Sequence, residues 1–255
     1  GVGLFRTEFL FLSRNNLPSE DEQYEIYHNL ARKIAPKILT IRTFDLGGDK
    51  LAHSIDSPKE DNPYLGNRGI RFSLAHPEVL RTQLRAILRA SALGNVRIMF
   101  PMIIDVEDFL QAKRVLKSCA DELYEQGEKF DYDIPVGSMV EIPSAAISSE
   151  SLARECDFLS IGTNDLVQYT LAVDRNNDIV NRYFIQHHPA VLKLIRLTIT
   201  NAKKHNRGIS ICGEMASLKE YAPLLIGMGI TELSVNPSSY YDIKRVVRSC
   251  DEELD

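Results

Sequence analysis

Four arginines and two carboxylates carry the chemistry that this sequence most clearly suggests. Each ends a short apolar run or lies in a loop beyond one, and the six are Arg6, Arg42, Arg68, Glu141, Asp165 and Arg175. Guanidinium groups bind carboxylate and phosphate oxygens bidentately, so several on one face indicate an anionic ligand. Two carboxylates from neighbouring strand ends commonly hold Mg²⁺ while substrate oxygens complete its octahedron. Arginines together with Mg²⁺ suit phosphoryl transfer, in which catalysis is mainly positioning and charge neutralisation.

Cys212 adds a candidate proton donor or nucleophile. It ends an apolar run and precedes Gly213 and Glu214, a position beside the same ligand. Taken alone, each of these residues has an ordinary explanation, because strand-end arginines are commonly solvated and single cysteines commonly fill the core. Their joint placement favours a Mg²⁺-dependent enzyme acting on a small phosphorylated acid, although many unrelated chemistries occur on the fold that would hold them.

The elements that would position these residues are seven short β-type runs, each followed by a turn or a helix-type pattern. The runs are Val2–Phe5, Ile38–Ile41, Val96–Phe100, Val136–Val140, Phe158–Ile161, Ile209–Ile211 and Leu233–Val235. A repeated strand–helix unit with polar residues at the carboxyl ends of the strands is typical of a (β/α)8 TIM-type barrel and its catalytic face. We therefore predict an α/β fold of this type.

Helix signals fall between the runs. Ser19 with Glu22 forms a capping-box pattern, and Pro77 and Pro189 occupy first-turn positions ahead of apolar residues at helical spacing. The helix that Pro189 opens is predicted to stop at Gly208. Two later helices are predicted to begin at Ser217 and Asp242.

The strand count is one short of a closed barrel, which needs eight because an open edge leaves backbone groups unpaired. We place the missing first strand before Gly1 and expect the chain to be a fragment of a longer protein. Its 255 residues contain no linker-like or low-complexity segment. Residues 1–255 are therefore expected to form a single domain, since barrels of this length commonly do.

Composition excludes several classes of protein. The net charge of −5 and the lack of a long Lys/Arg run argue against a nucleic-acid surface. No apolar stretch approaches membrane-spanning length. The four cysteines are widely spaced, with no Cys-x-x-Cys pair, which predicts free thiols and a cytoplasmic location.

Several segments resemble enzyme I of the bacterial phosphoenolpyruvate-dependent sugar phosphotransferase system. The most specific is residues 158–175, FLSIGTNDLVQYTLAVDR, which resembles the signature of phosphoenolpyruvate-utilising enzymes. The others are GLFRTE (3–8), RTFDLGGDK (42–50), NPYLGNR (62–68), VEIP (140–143) and ICGEMA (211–216). The resemblance extends from Gly1 to about Ser249 and implies the barrel that binds phosphoenolpyruvate.

The resemblance also implies roles for individual residues. Glu141 and Asp165 match Mg²⁺ ligands, and Cys212 matches the residue that protonates the enolate carbon as pyruvate forms. The positions that match substrate-binding groups are Arg6, Arg42, Arg68, Asn164, Asp165 and Arg175. In this family the phosphoryl group passes to a histidine on a separate N-terminal domain and then to a small histidine-containing phosphocarrier protein. The family relation further implies a homodimer built through the barrel.

Two alternatives remain open at this point. The same barrel occurs in the nitrogen-regulatory paralogue of enzyme I, in pyruvate phosphate dikinase and in phosphoenolpyruvate synthase, which differ in their attached domains. The chain also has no histidine in the family's phosphoacceptor motif. By itself it could therefore be only a module for ligand binding and dimerisation.

Overall fold

The computed structural model describes residues 1–12, 16–47 and 60–250. Within these ranges the chain forms seven β-strands, whose hydrogen-bonded order follows the chain. They are β1 (Val2–Arg6), β2 (Leu39–Arg42), β3 (Val96–Phe100), β4 (Val136–Val140), β5 (Phe158–Gly162), β6 (Gly208–Cys212) and β7 (Glu232–Leu233). The pairs β1–β2, β2–β3, β5–β6 and β6–β7 are parallel. Parallel neighbours need crossover connections, which are helical here.

Ten α-helices connect or flank these strands in the described part of the chain. They are α1 (Glu20–Ile34), α2 (Ile70–Ala75), α3 (Pro77–Ser91), α4 (Val106–Glu125), α5 (Pro143–Ile147), α6 (Ser149–Glu155), α7 (Thr163–Leu171), α8 (Pro189–Lys204), α9 (Ala222–Met228) and α10 (Tyr240–Cys250). Short 3₁₀ helices lie at Glu8–Leu10, Asn181–Tyr183, Met215–Ser217 and Pro237–Ser239. The strand–helix alternation is therefore the predicted one.

The capping-box prediction at the start of α1 is confirmed. The Ser19 hydroxyl accepts the Glu22 backbone N–H at 3.2 Å, and the Glu22 carboxylate accepts the Ser19 N–H at 2.8 Å. These two bonds satisfy backbone donors that the first helical turn leaves without partners. Pro77 and Pro189 also lie in the first turns of α3 and α8, as predicted.

Four predicted boundaries are wrong by two residues or more. β7 ends at Leu233 rather than Val235, because the chain turns into the 3₁₀ helix that begins at Pro237. Ser217 ends a 3₁₀ helix, and α9 begins only at Ala222, with a proline in its first turn. α8 ends at Lys204, since Asn206 reverses the chain in a left-handed conformation and Gly208 already begins β6. The last helix begins at Tyr240, one half-turn before Asp242.

The described residues divide into two compact units. One comprises the described residues within Gly1–Ile103 and Glu107–Gly137, and the other comprises those within Ile104–Val106 and Ser138–Asp255. The core of the first contains the fully buried rings of Tyr27, Phe44, Phe72, Phe100 and Phe109. The core of the second contains buried aliphatic side chains from β5, α7 and α8, namely Leu159, Ile161, Leu166, Val191 and Ile195.

Two predictions from composition can be compared with the structure. All four cysteines are free thiols, as predicted from their spacing. Among the described helices, none combines the length and the apolar character needed to cross a membrane.

Candidate active site

In the first unit, Arg42 ends β2 and is held by two carboxylates. Its Nη2 lies 2.8 Å from Glu8 Oε1, and its Nη1 lies 2.8 Å from Asp45 Oδ2. The Arg42 side chain is only 8% exposed. A buried guanidinium needs such partners because an uncompensated charge in the interior is strongly unfavourable.

Arg68 shares the same aspartate. Its Nη2 lies 3.1 Å from Asp45 Oδ1 and 3.2 Å from Asp45 Oδ2. Gly69 leaves room for this pair, since a Cβ at that position would come 3.1 Å from Asp45 Oδ1 and 2.6 Å from Met102 Cγ. Gly69 also has a positive φ of 60°, so both its conformation and its surroundings favour glycine.

Arg6 lies at the end of β1, next to Arg42. The parallel register pairs the Cα of Arg6 with that of Arg42. Arg6 is exposed, whereas Arg42 is buried. Three of the four predicted arginines thus belong to one unit, and strand register and a shared aspartate link them. The last residues of the RTFDLGGDK motif, 48–50, lie outside the described residues.

Glu8 and Asp45 have no role predicted from the sequence, although both contact Arg42. The available signal was the three-residue spacing from Arg42 to Asp45 just after a strand, which brings the side chains together in a tight turn. Glu8 could not be found in this way, because it lies 34 residues from Arg42 in sequence.

In the second unit, Glu141 and Asp165 form a close pair of buried carboxylates. Glu141 directly follows β4, and Asp165 lies in the first turn of α7, directly beyond β5. Their carboxylate oxygens lie within 4.8 Å of each other, and the two residues are 1% and 6% exposed. Two like charges this close and this buried fit a divalent cation with oxygen ligands.

Gly162 provides the space for Glu141. A Cβ at Gly162 would come 2.7 Å from Glu141 Oε2, 2.9 Å from Glu141 Cβ and 3.2 Å from Met139 Cγ. Gly162 is the last residue of β5. Gly162 therefore allows the Glu141 carboxylate, which directly follows β4, to lie against β5.

Asn164 and Cys212 are brought together in the second unit by the pairing of β5 with β6. Gly162 pairs with Cys212 in the parallel register, and the Thr163 hydroxyl donates to the Cys212 carbonyl at 2.8 Å. Asn164 Oδ1 accepts the Glu214 N–H at 2.9 Å. Because that oxygen is used as an acceptor, the amide presents Nδ2 as its donor.

The turn after Cys212 depends on Gly213. Its φ is +95°, a conformation that side chains other than glycine rarely adopt. A Cβ there would also collide with the Thr163 hydroxyl and come 2.9 Å from Asn164 Oδ1. Cys212 itself is 4% exposed, so its thiol lies in a largely dry environment.

Arg175 lies in the segment after α7, and Gln168 fixes the start of that segment. The buried Gln168 side chain accepts the Arg175 backbone N–H at 3.1 Å through Oε1. The backbone carbonyl of Gln168 accepts the N–H of Ala172, whose φ of 53° reverses the direction of the chain. Arg175 is half-buried. The local fold therefore determines the backbone position of this arginine.

The sequence matches one family along nearly its whole length. A family model described as "PEP-utilising enzyme, PEP-binding domain" matches residues 1–252. The chain belongs to this family. The predicted resemblance is confirmed by similar proteins named phosphoenolpyruvate-protein phosphotransferase. The one from Haemophilus influenzae is 47% identical over 249 residues, covering 98% of this chain and 43% of that protein.

Two further relatives of this PEP-binding domain have the same name and a similar identity. The phosphoenolpyruvate-protein phosphotransferase of Bacillus subtilis is 47% identical over 238 residues, covering 93% of this chain and 42% of the relative. That of Priestia megaterium is 45% identical over 248 residues. The chain thus spans less than half of the length of these relatives.

Solved structures show the fold of the PEP-binding domain. A citrate lyase from Burkholderia xenovorans LB400 matches with a TM-score of 0.56 at 19% identity, covering 92% of this chain and 75% of that one. A malate synthase from Haloferax volcanii matches with a TM-score of 0.57 at 12% identity, covering 92% of this chain and 56% of that one. The predicted TIM-type barrel fold is confirmed.

Proposed function

We propose that this chain binds phosphoenolpyruvate and that the protein containing it transfers the phosphoryl group to a histidine, releasing pyruvate. The observation that carries the proposal is the match to the PEP-binding domain over residues 1–252. The arginines and the carboxylate pair support it, because the ligand is a small acid with a phosphate and a carboxylate.

Mg²⁺ is the proposed cofactor, held by Glu141 and Asp165. The closeness and burial of the two carboxylates support this assignment, since a cation relieves their mutual repulsion. Oxygen ligands and a site completed by substrate oxygens are typical of Mg²⁺. When bound, the ion would neutralise negative charge on the phosphoryl and enolate oxygens.

The chain's own residues would bind and orient the substrate. We assign the phosphoryl end to Arg6, Arg42, Asn164 and Arg175, and we assign Arg68 and Asp165 to the same ligand. Support comes from the ion pairs that fix Arg42 and Arg68 and from the bond that leaves Asn164 Nδ2 as a donor. Preorganised donors of this kind stabilise charge without reorganising during the reaction.

Cys212 is the proposed acid that protonates the enolate carbon. Its place at the end of β6 and its burial support a protected proton donor. The phosphoryl group would pass to the acceptor histidine nitrogen as the bond between phosphorus and the bridging oxygen breaks, which leaves an enolate. The C2–C3 electron pair of the enolate would then take the proton from Sγ at C3, while the oxygen electron pair forms the ketone of pyruvate and Cys212 is left as a thiolate.

The acceptor and partners follow from the family. We propose that the acceptor is a histidine on an N-terminal domain and that a histidine-containing phosphocarrier protein receives the group next. The names of the relatives favour this route over the dikinase and synthase alternatives. We also propose a cytoplasmic homodimer that serves sugar transport, with the nitrogen-regulatory paralogue as the nearest alternative.

Calorimetric titration of the protein with phosphoenolpyruvate tests the binding proposal. Binding is expected with Mg²⁺, and it should disappear with EDTA. Glu141→Gln and Asp165→Asn should abolish the Mg²⁺ dependence, whereas Glu107→Gln, at an exposed ion pair, should leave it intact. The absence of heat and of competition by pyruvate would contradict the proposal. Labelled phosphate bound covalently within these 255 residues would contradict the assignment of the acceptor to another domain.

A further inference from the structure

The loop that carries Arg42 and Asp45 is held by three backbone contacts. The Arg42 carbonyl accepts the Thr7 hydroxyl at 3.0 Å, and the Thr43 N–H donates to the Met99 carbonyl at 3.0 Å. The third contact comes from helix α3, where Gln83 Oε1 accepts the Phe44 N–H at 2.8 Å. Phe44 therefore lies between the two ion-paired residues and is fixed by helix α3.

Gln83 is the first member of a longer series of hydrogen bonds. Its Nε2 donates to the Tyr27 hydroxyl at 3.2 Å, and that hydroxyl donates to Gln23 Oε1 at 3.0 Å. Gln23 Nε2 then donates to the Pro18 carbonyl at 3.1 Å. We call these three side chains the Gln–Tyr–Gln chain. It joins the loop after β2 to the start of α1.

The polarity of the Gln–Tyr–Gln chain is set at both ends. The Phe44 N–H can only donate, so it must face Oε1 of Gln83, which turns Nε2 toward Tyr27. The Pro18 carbonyl can only accept, so it must face Nε2 of Gln23. The tyrosine hydroxyl then has one acceptor role and one donor role. Each amide has one orientation that satisfies both of its neighbours, which removes the ambiguity of amide flips.

All three side chains of the Gln–Tyr–Gln chain are buried. Gln23 and Gln83 are each 1% exposed, and Tyr27 is 0% exposed. Burial raises the pKa of Tyr27, a nearby Glu8 charge raises it further, and the Gln83 hydrogen bond opposes the shift. The phenol therefore stays protonated and keeps its donor. A buried polar network in which every member has partners fixes one geometry, whereas a broken one is costly.

The apolar side of Phe44 is fixed as well. Its ring lies 4.5 Å from that of Phe11 and 5.6 Å from that of Phe72, measured between centroids. These rings belong to a buried cluster with Val79. Ring packing alone would allow the backbone to slide, because apolar contacts are not directional. The bond to Gln83 supplies the directional restraint.

We propose that Gln83, through Tyr27 and Gln23, is a positioning residue that holds the Arg42–Asp45 loop for phosphoenolpyruvate. The inference rests on the proposed function, since Arg42 is assigned there to the phosphoryl end of that ligand. None of the three side chains is assigned to the ligand. They would act by fixing the peptide between Arg42 and Asp45, and thereby the direction of the guanidinium.

Two variants of the intact protein test this inference, and a third serves as their control. Gln83→Met keeps the length of the side chain but leaves the Phe44 N–H buried without its acceptor. It should weaken phosphoenolpyruvate binding roughly tenfold and speed amide exchange at Phe44. Tyr27→Phe keeps the ring and the bond from Phe44, so we expect a smaller loss of affinity, about threefold. If Gln83→Met fails to fold, Tyr27→Phe still tests the role of the Gln–Tyr–Gln chain.

Ser91→Ala is the matched control. Ser91 lies on the same helix, is fully buried, donates to the Leu88 carbonyl and accepts the Asp131 N–H. Its replacement should lower the melting temperature without changing affinity or exchange at Phe44. Equal loss of affinity in Ser91→Ala and Gln83→Met would overturn the positioning role, because affinity would then follow stability alone. Wild-type affinity and wild-type Phe44 exchange in Gln83→Met would also overturn it. Failure of the wild-type protein to bind phosphoenolpyruvate would instead overturn the proposed function, and this inference with it.

Discussion

Arg42 and Asp45 form a buried ion pair three residues apart, with Nη1 and Oδ2 separated by 2.8 Å. Asp45 also contacts Arg68, and Arg42 also contacts Glu8. Arg42 and Arg68, which we assign to an anionic ligand, are thus themselves held by the carboxylates of Glu8 and Asp45. Such pairing restricts the guanidinium forks before any ligand arrives, which reduces the ordering that binding requires.

The first prediction concerns Arg42→Ala, which should lose both stability and phosphoenolpyruvate binding. Removing the guanidinium leaves Glu8 buried without this partner and leaves Asp45 with Arg68 alone. Breaking a buried pair in this way costs about 3–5 kcal/mol. Chemical unfolding and calorimetric titration of the same variant measure the two losses. Arg114→Ala is the control, because the Arg114–Glu107 pair is mostly exposed. Its removal should change the free energy of unfolding by roughly 0.5 kcal/mol or less.

A strand-end arginine taken from sequence alone would be expected to behave like that surface control. The structure corrects this view, since Arg42 is 7% exposed. An Arg42→Ala variant that kept wild-type stability would mean that the two ion pairs contribute nothing in solution. Arg42→Ala with intact binding would remove Arg42 from the proposed substrate site.

The second prediction is that Gly162→Ala selectively weakens Mg²⁺-dependent binding. The added methyl group would lie 2.7 Å from Glu141 Oε2, so the carboxylate must move away from its present position beside β5. We expect at least a tenfold loss of Mg²⁺ affinity, on the order of 1.4 kcal/mol. Titration with Mg²⁺ at a fixed phosphoenolpyruvate concentration measures it.

Gly227→Ala is a matched control for this substitution. Gly227 lies within α9, and a Cβ there has no neighbouring atom within 4 Å. The change should leave Mg²⁺ affinity alone and stabilise the helix by about 0.5–1 kcal/mol. If both variants bind Mg²⁺ as the wild type does, the position of Glu141 is not important for the metal.

Much of the fold is predictable from the sequence because strands and helices leave local signals. The runs Val96–Phe100 and Val136–Val140 coincide with β3 and β4, and each begins with a valine and ends in apolar residues. Failures occur where a turn overrides the pattern. The prediction for Ser217 was wrong because a 3₁₀ helix and a proline delay the next helix to Ala222.

The residues of the candidate site also fall into those that can be predicted from the sequence and those that cannot. Residues at strand ends, such as Arg42 and Glu141, can be found from sequence because the carboxyl ends of parallel strands lie at one edge. Residues that hold them cannot, since Glu8 and Gln83 are 34 and 39 positions from the loop residues they contact. Such contacts depend on tertiary packing, and a single sequence has no local signal for them.

The third prediction concerns pH. Glu150 contacts Lys204 Nζ at 2.8 Å, Arg154 Nη2 at 2.9 Å and His205 Nε2 at 3.5 Å. The Lys204 bond, followed by those of Arg154 and His205, lowers the pKa of Glu150 to about 2. A carboxylate whose folded pKa is depressed stabilises the protein above its unfolded pKa, near 4.3, and loses this contribution as the pH falls toward the folded value.

Urea unfolding of the wild type and Glu150→Gln at a series of pH values checks this. The wild type should be the more stable at pH 6, and the difference should shrink steadily between about pH 4.3 and pH 2. The exposure of Arg154 and Lys204 limits the size of the effect because solvent screens the charges. A difference that is constant across this range would show that the carboxylate is not paired in solution.

The last prediction is that Cys212 acts as an acid rather than as a nucleophile or a core residue. An ordinary thiol is mostly protonated at neutral pH and can donate a proton to an enolate carbon. The positive φ of Gly213 turns the chain directly after Cys212, and the Thr163 hydroxyl holds the Cys212 carbonyl. These contacts fix the backbone of the cysteine at the carboxyl end of β6, where the proposed reaction takes place.

In the intact protein, Cys212→Ala should still bind phosphoenolpyruvate and still transfer the phosphoryl group, although slowly. Its defect should appear in the pyruvate formed in D₂O from phosphoenolpyruvate carrying tritium at one C3 position. The wild type should deliver deuterium to one face of C3, whereas the variant should release enolate that is deuterated on both faces by solvent. Cys156→Ala, which removes another buried thiol of the same unit, should keep the facial selectivity. Unchanged turnover and unchanged selectivity in Cys212→Ala would rule out the acid role, and complete loss of phosphoryl transfer would indicate a nucleophile instead.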